Sequence, residues 1–249
     1  MTLTLVAFDL DDTLAESKSP LTSAMGEALA DLLLMREVCI ISGGRFAQFD
    51  TQVLHRLPQR ADLTRLHLMP TCGTRYLRNY GGDWQEVYAY DLSSEEKQQS
   101  IESLMRCAQR LGLWEEQVWG ERIEDRGSQI TFSALGQKAP VAAKKAWDSD
   151  GTKRALLRAA VAVDLPGLEV TGGGSTSIDI TRKGIDKAYG MRQLSEQTGY
   201  PLSDMVFIGD RLMPGGNDYP VYQLGVPTIA VTCPTDTLDV IAHLVEEAR

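Results

Sequence analysis

The sequence predicts an α/β protein: a doubly wound, Rossmann-like parallel sheet interrupted by an inserted α+β domain. Three features carry this. Short apolar runs without polar alternation recur along the chain, the mark of strands buried on both faces. Amphipathic helical stripes lie between the early ones. The middle of the chain instead holds segments alternating with period two.

In order, "TLTLVAF" (residues 2–8) is the first buried strand. In "SPLTSAMGEALADLLLMRE", Ser19 and Pro20 read as N-cap and first helical residue, and Leu21, Met25, Leu29 and Leu32 fall at helical spacing. "VCII", running to Ser42, completes a βαβ unit. Phe46, Phe49, Val53 and Leu57 form a second stripe, and "LHLM" is the next strand, ending near Pro70. At Gly81 and Gly82 the βα rhythm stops. Ser93 and Glu96 form a capping box opening a helix with the stripe Ile101, Leu104, Met105, Ala108 and Leu111, closed by Gly112. In "QITFS" and "STSIDIT", Ile130, Phe132, Ile178 and Ile180 face one way. Gln129, Thr131, Ser133, Ser177 and Asp179 face the other, giving an antiparallel sheet with one apolar and one polar face. "KKAWDSDGTK" reads as a solvated loop, and "MVFI" and "TIAV" return to the core. The expected domains are a core of residues 1–83 with 184–249 and an insert of 84–183.

The chain has 249 residues, 43% hydrophobic and 24% charged, ample for such a core. Its net charge of −9 repels phosphate polymers and anionic lipid, which argues against general nucleic-acid or membrane binding. No run approaches the ~18 apolar residues of a membrane span. The start has no basic region and reaches Asp9 too early for a secretion signal, so a cytoplasmic location is expected. Cys39, Cys72, Cys107 and Cys233 lack C-x-x-C spacing and read as reduced structural thiols.

Ligands of open parallel sheets sit beyond the carboxyl ends of the strands. Asp9, Asp11, Ser42 and Asp210 all fall there. Any one acid is explained as a turn former. Three acids in the four positions Asp9 to Asp12, however, repel one another unless a divalent cation such as Mg²⁺ neutralises them. Taken singly, Ser42 is a loop former and Lys187 a solvated lysine; the order of the motifs raises both.

"FDLDDTL", "IISGG", Lys187 in "GIDKAYG" and "IGDRLMPGGND" resemble, in order, the four motifs of the haloacid dehalogenase superfamily. The insert between the second and third resembles the C2B cap of the subclass containing Cof-type sugar phosphatases and eukaryotic phosphomannomutases. "GDRLMPGGND" is especially similar to the latter. The resemblance implies Asp9 as nucleophile and Asp11 as general acid and base. Asp9, the backbone carbonyl of Asp11, and Asp210 would hold Mg²⁺, with Asn217 or Asp218 arranging its surroundings. Ser42 and Lys187 would hold the transferring phosphoryl group. Gly43, Lys18, Arg126, Ser177 and Asp179 would bind substrate, the last three from the polar face of the cap closing over the core. Related mutases pair through their caps, so a homodimer through the cap is implied, although no apolar patch marks it.

The departures matter. Gln137 stands where the mutases carry arginine, Lys18 replaces another arginine, and Asp12 replaces the glycine of their D-x-D-G-T. Gripping a sugar bisphosphate suits the guanidinium fork, and lysine meets that need only in part; Lys138, Lys144 and Lys145 are the available substitutes. The expected function is therefore Mg²⁺-dependent hydrolysis of small phosphorylated metabolites, sugar phosphates foremost, through an aspartyl-phosphate. A phosphomannomutase-type mutase is the alternative. A non-catalytic phosphoryl-responsive binding module is the second, and Asp11 and the insert speak against it.

Overall fold

The apolar runs become strands, and helices form between them, in the computed structural model, which describes residues 3–248. The elements are β1 (Leu5–Phe8), α1 (Ser23–Met35), β2 (Glu37–Ile41), α2 (Phe46–Gln52), β3 (Leu66–Met69), β4 (Arg75–Tyr80), β5 (Asp83–Ala89), α3 (Ser94–Arg110), β6 (Ile123–Asp125) and β7 (Gln129–Ser133). They continue with α4 (Val141–Trp147), α5 (Thr152–Asp164), β8 (Leu168–Gly172), β9 (Ser177–Arg182), α6 (Lys187–Thr198), β10 (Met205–Gly209), α7 (Tyr219–Gln223), β11 (Thr228–Ala230) and α8 (Pro234–Glu247). They form two compact units: residues up to Ala89 with those from Asp186 onward, and Tyr90–Ile185.

The first unit holds a sheet ordered β11-β10-β1-β2-β3-β4-β5. The pairs from β11 to β3 are parallel, and β3-β4 and β4-β5 are antiparallel. Alternation along each buried strand feeds two cores. Val6, Phe8, Val38 and Ile40 pack with Met25, Leu29 and Leu32 of α1 and Ile241 and Leu244 of α8. Leu5, Ala7, Cys39, Ile41 and Phe207 pack with Met191 and Leu194 of α6 and Val221 of α7. Helices thus cover both faces, which is what a doubly wound sheet requires.

The second unit is the antiparallel sheet β6-β7-β9-β8, whose apolar face (Ile130, Phe132, Ile178, Ile180) packs on Leu104, Cys107 and Ala108 of α3 and Leu157 and Val161 of α5. The capping box forms as expected: Ser93 Oγ accepts from Glu96 N, and the Glu96 carboxylate from Ser93 N.

Several local expectations need correction. Thr22, not Ser19, caps α1, accepting from Met25 N at 3.2 Å. Ser19 is instead held in the preceding loop, its carbonyl accepting from Gln52. Gly81 and Gly82 take positive φ (64° and 100°) and turn a hairpin, so β5 stays in the core sheet and the first unit runs to Ala89 rather than 83. Met105 of α3 and Leu111, which caps its end, are exposed; Ser100, Ser103 and Cys107 lie inward instead. "KKAWDSDGTK" ends α4 and begins α5 around a buried Asp148, whose carboxylate accepts from Lys153 N and Arg154 N. The polar face of β7 is also buried: Gln129, Thr131 and Ser133 are at most 4% exposed. The four cysteines are free, with Cys39 and Cys107 buried. Among the described residues, no helix is long and apolar enough to cross a membrane.

Candidate active site

Strands β1 and β10 are parallel neighbours with Phe8 opposite Ile208, so residues about two hundred positions apart leave the sheet side by side. Asp9 follows β1 directly, its N–H donating to Ile208 O at 2.9 Å, and Asp210 follows β10. The loop after Asp210 folds back and returns Asp218. Its carboxylate accepts from Arg211 N at 3.0 Å, and its own N–H donates to Arg211 O at 3.3 Å. Glycines make the return possible. A Cβ on Gly209 would lie 2.5 Å from Asp218 Oδ2, and one on Gly216 would lie 2.0 Å from Arg211 O.

Carboxylate oxygens of Asp9, Asp210 and Asp218 lie within 4.8 Å of one another. Lys187, the first residue of α6, enters this group with its Nζ 2.5 Å from both Asp9 Oδ1 and Asp218 Oδ1. Asp186 caps that helix, accepting from Tyr189 N, and so fixes where Lys187 starts. Lys187 is 1% exposed, Asp9 4% and Asp218 0%. Asp210 is half-buried, with the exposed Arg211 Nε 3.5 Å from its Oδ2, so three ionised carboxylates beside the buried Lys187 keep a surplus of negative charge with little water to spread it.

The titration behaviour follows. Burial pushes the Asp9 carboxyl up to about 7; the Lys187 ammonium draws it down and Asp218 raises it further. Burial works against the Lys187 ammonium, but the two carboxylates outweigh it and hold it above the ordinary lysine range. Burial, and then Asp218, raise Asp210 as well, with Arg211 opposing. A cluster of hard oxygen donors carrying surplus negative charge fits a divalent cation such as Mg²⁺. Asp218, engaged on both oxygens, is the positioning member. Asn217 beside it is exposed, so of the two expected supporting residues only Asp218 is brought into the cluster.

Ser42 leaves β2 at the same end of the sheet, 4% exposed, with its Oγ accepting from Gly44 N at 3.2 Å. Gly43 borders open space: a Cβ there would meet nothing within 4 Å. Asp11 is not a member of this group of carboxylates. Its Oδ1 accepts from Lys18 N at 2.7 Å and Gln52 Nε2 at 3.4 Å, and its Oδ2 from Gln48 Nε2 at 3.1 Å. The Lys18 side chain is exposed on a backbone of φ 59°. Asp12 takes φ 63°, and its Oδ1 accepts from Ser17 N. Short polar side chains tolerate this conformation, so an aspartate fits the turn.

In the second unit, Glu124, Thr131, Asp179 and Thr171 form one cross-strand row. Asp179 accepts from Thr131 Oγ1 at 2.8 Å, and burial raises its carboxyl above the ordinary range. Arg126 donates to Glu124 from Nε at 2.8 Å, with Nη2 at 2.7 Å from the same oxygen. Ser177 lies opposite Ser133 on the same face as Asp179. Sequence reasoning missed Gln48, Gln52 and Glu124, because a glutamine or glutamate alone on a half-exposed element carries no distinguishing signal.

The sequence model described as eukaryotic phosphomannomutase matches residues 85–247. The phosphomannomutase of Encephalitozoon cuniculi is 27% identical over 242 residues, covering 94% of this chain and 90% of the relative. That of Saccharomyces cerevisiae is 26% identical over 249 residues, covering 97% and 94%. Among solved structures, N-terminally truncated IMP-nucleotidase of Plasmodium falciparum superposes with a TM-score of 0.68 at 14% identity, over 98% of this chain and 71% of that one. A trehalose-6-phosphate phosphatase related protein gives 0.60 at 13% identity, over 98% of both. These structural likenesses establish the shared haloacid-dehalogenase fold.

Proposed function

Because the chain belongs to the eukaryotic phosphomannomutase family, and is thus an enzyme of haloacid-dehalogenase type, we propose that it hydrolyses small phosphorylated metabolites, sugar phosphates foremost, in a Mg²⁺-dependent reaction. The observation that carries this reading is the largely buried cluster of Asp9, Asp210 and Asp218, with Lys187 bridging Asp9 and Asp218 and a surplus of negative charge left over. Asp9, Asp210 and the backbone carbonyl of Asp11 would hold the cation, which would neutralise that surplus and polarise phosphoryl oxygens.

Asp9 attacks phosphorus, and the bond from phosphorus to the leaving oxygen breaks as Asp11 gives that oxygen its proton. The product alcohol leaves an aspartyl-phosphate on Asp9. Water then adds to phosphorus, its proton passes to Asp11, and the acyl-phosphate P–O bond breaks to release phosphate. Lys187 and Ser42 balance the charge that builds on the phosphoryl oxygens. Asp218 holds the Lys187 ammonium in place. Arg126, Ser177 and Asp179 are assigned to substrate selection on the motif resemblance, as are Gly43 and Lys18.

Hydrolysis is preferred to mutation of sugar phosphates because of Gln137 and Lys18, which stand where mutases carry arginines, and because Arg126 is already engaged by Glu124. The mutase reading draws its support from the likeness to phosphomannomutases along nearly the whole chain. A panel of sugar phosphates, assayed for phosphate release and isomer products together, separates the two. Mg²⁺-dependent phosphate release that is lost in Asp9→Asn is the expected result. Bisphosphate-primed conversion of mannose 1-phosphate to mannose 6-phosphate, faster than phosphate release, would replace hydrolase by mutase. A lasting acyl-phosphate without turnover would mean a binding module.

A further inference from the structure

We propose that Gln48 and Gln52 of α2 are positioning residues that aim the Asp11 carboxyl for its proton transfers. The inference rests on the role given to Asp11 above. The two glutamines are four residues apart, hence on one face of the helix. Phe49, between them in sequence, is buried in the core and anchors α2. All three donors recorded on Asp11 are N–H groups, and two of them are these side-chain amides: Gln48 Nε2 on Oδ2 and Gln52 Nε2 on Oδ1.

Both side chains are built into place. Gln52 is 4% exposed; its Nε2 also donates to Ser19 O at 2.6 Å, and its backbone carbonyl accepts from Leu21 N at 2.9 Å. It thereby ties down both ends of the Ser19–Leu21 stretch that closes the loop begun at Asp11. Gln48 lies across the "SGG" turn. A Cβ on Gly44 would sit 2.2 Å from Gln48 Oε1, so the missing side chain at Gly44 is what lets that amide reach Asp11. The same Gly44 donates its N–H to Ser42 Oγ. One amide thus couples the phosphoryl-holding turn to the proton-transferring carboxyl. A carboxyl with both oxygens tethered keeps one orientation, and displacing a reacting group by about 1 Å costs on the order of 100-fold in rate.

The test exploits leaving groups. An alkyl phosphate such as glucose 6-phosphate needs its leaving oxygen protonated, whereas 4-nitrophenyl phosphate does not. Gln48→Met keeps length and volume but removes the donor. In single-turnover phosphorylation of the full chain with Mg²⁺, Gln48→Met is expected to slow the alkyl substrate about 10- to 100-fold. The aryl substrate should change less than about threefold, and KM for both should hold within about twofold, as befits loss of aim rather than of binding. Gln52→Met, which removes the other side-chain amide from Asp11, should change the two substrates in the same direction as Gln48→Met. Equal losses on both substrates would mean a merely structural role and overturn the inference, as would no loss on either. If Asp11→Asn shows the leaving-group split and Gln48→Met does not, the glutamine assignment falls while the proposed function stands. If the wild-type chain transfers phosphate from neither substrate, both fall together.

Discussion

Asp210→Asn should raise the thermal stability of the metal-free protein and at the same time abolish its stabilisation by Mg²⁺. Without a cation the cluster keeps a surplus of negative charge that the exposed Arg211 opposes only in part, and burial and Asp218 both raise the Asp210 carboxyl, so ionising it opposes folding. A neutral amide of the same shape removes that opposition. Asp9 adds a pH dependence of defined sign. Its folded value of about 7 stands above 3.8, so between these limits the folded state holds the extra proton. Its contribution to metal-free stability is therefore greatest below about pH 4 and declines as pH rises to about 7. At 100 times its dissociation constant, a cation adds about 2.7 kcal/mol. For a chain of this size, at about 2–4 °C per kcal/mol, that is a rise of roughly 5–11 °C in the transition of the unit holding the site. The cation must displace the Asp9 proton, so its apparent affinity should weaken about tenfold per pH unit below 7, or roughly 100-fold at about pH 5. Scanning calorimetry of chelator-treated wild type and Asp210→Asn, with and without Mg²⁺ at the two pH values, measures all of this. A variant that is less stable than wild type without metal, or that keeps the full Mg²⁺ shift, would refute the charge argument. So would a pH-independent affinity.

Lys187→Met should cost about 3–5 kcal/mol in urea unfolding, because it strands two buried carboxylates, and phosphate release should be lost with it. Gly209→Ala, whose new methyl would meet Asp218 Oδ2 at 2.5 Å and Phe207 at 2.8 Å, should destabilise by about 1–3 kcal/mol and slow turnover by moving Asp218 off Lys187; denaturation and steady-state kinetics check both. Asp148→Ala removes the carboxylate that accepts from Lys153 N and Arg154 N at the start of α5. It should cost about 1 kcal/mol in chemical denaturation while leaving the Mg²⁺-induced thermal shift unchanged.

The parallel part of the core was legible because strands buried on both faces must be apolar at every position, and Leu5–Phe8 and Met205–Gly209 are. The β4-β5 hairpin was not. Its strands are half-exposed and carry Arg75, Arg78 and Glu86, so the turn at Gly81 and Gly82 looked like the end of the core rather than a bend within it. Helix α5 escaped because only Leu157 and Val161 are buried while Leu156 and Val163 are exposed, which blurs the helical phase. On α3 the buried face includes serines, whose hydroxyls find partners: Ser100 donates to Glu96 O within the helix, and Ser103 to the Asp164 carboxylate at the end of α5. A stripe sought among large apolar residues therefore comes out rotated toward Met105 and Leu111.

The site divides along the same physical line. Asp9, Asp11 and Asp210 stand out in sequence because carboxylates at the ends of buried strands conflict with their surroundings, and a conflict is visible without coordinates. What resolves the conflict is not visible, because it lies in distances. Lys187 bridges Asp9 and Asp218 only because β1 and β10 are neighbours and the loop after Asp210 folds back on glycines. Gln48 and Gln52 conflict with nothing as letters on an amphipathic helix; they acquire meaning from the carboxyl they face. The residues that create the electrostatic problem can thus be read from the chain, while those that manage it need the fold. This is why the supporting glutamines, rather than the acids, are where structure adds most to the chemistry proposed here.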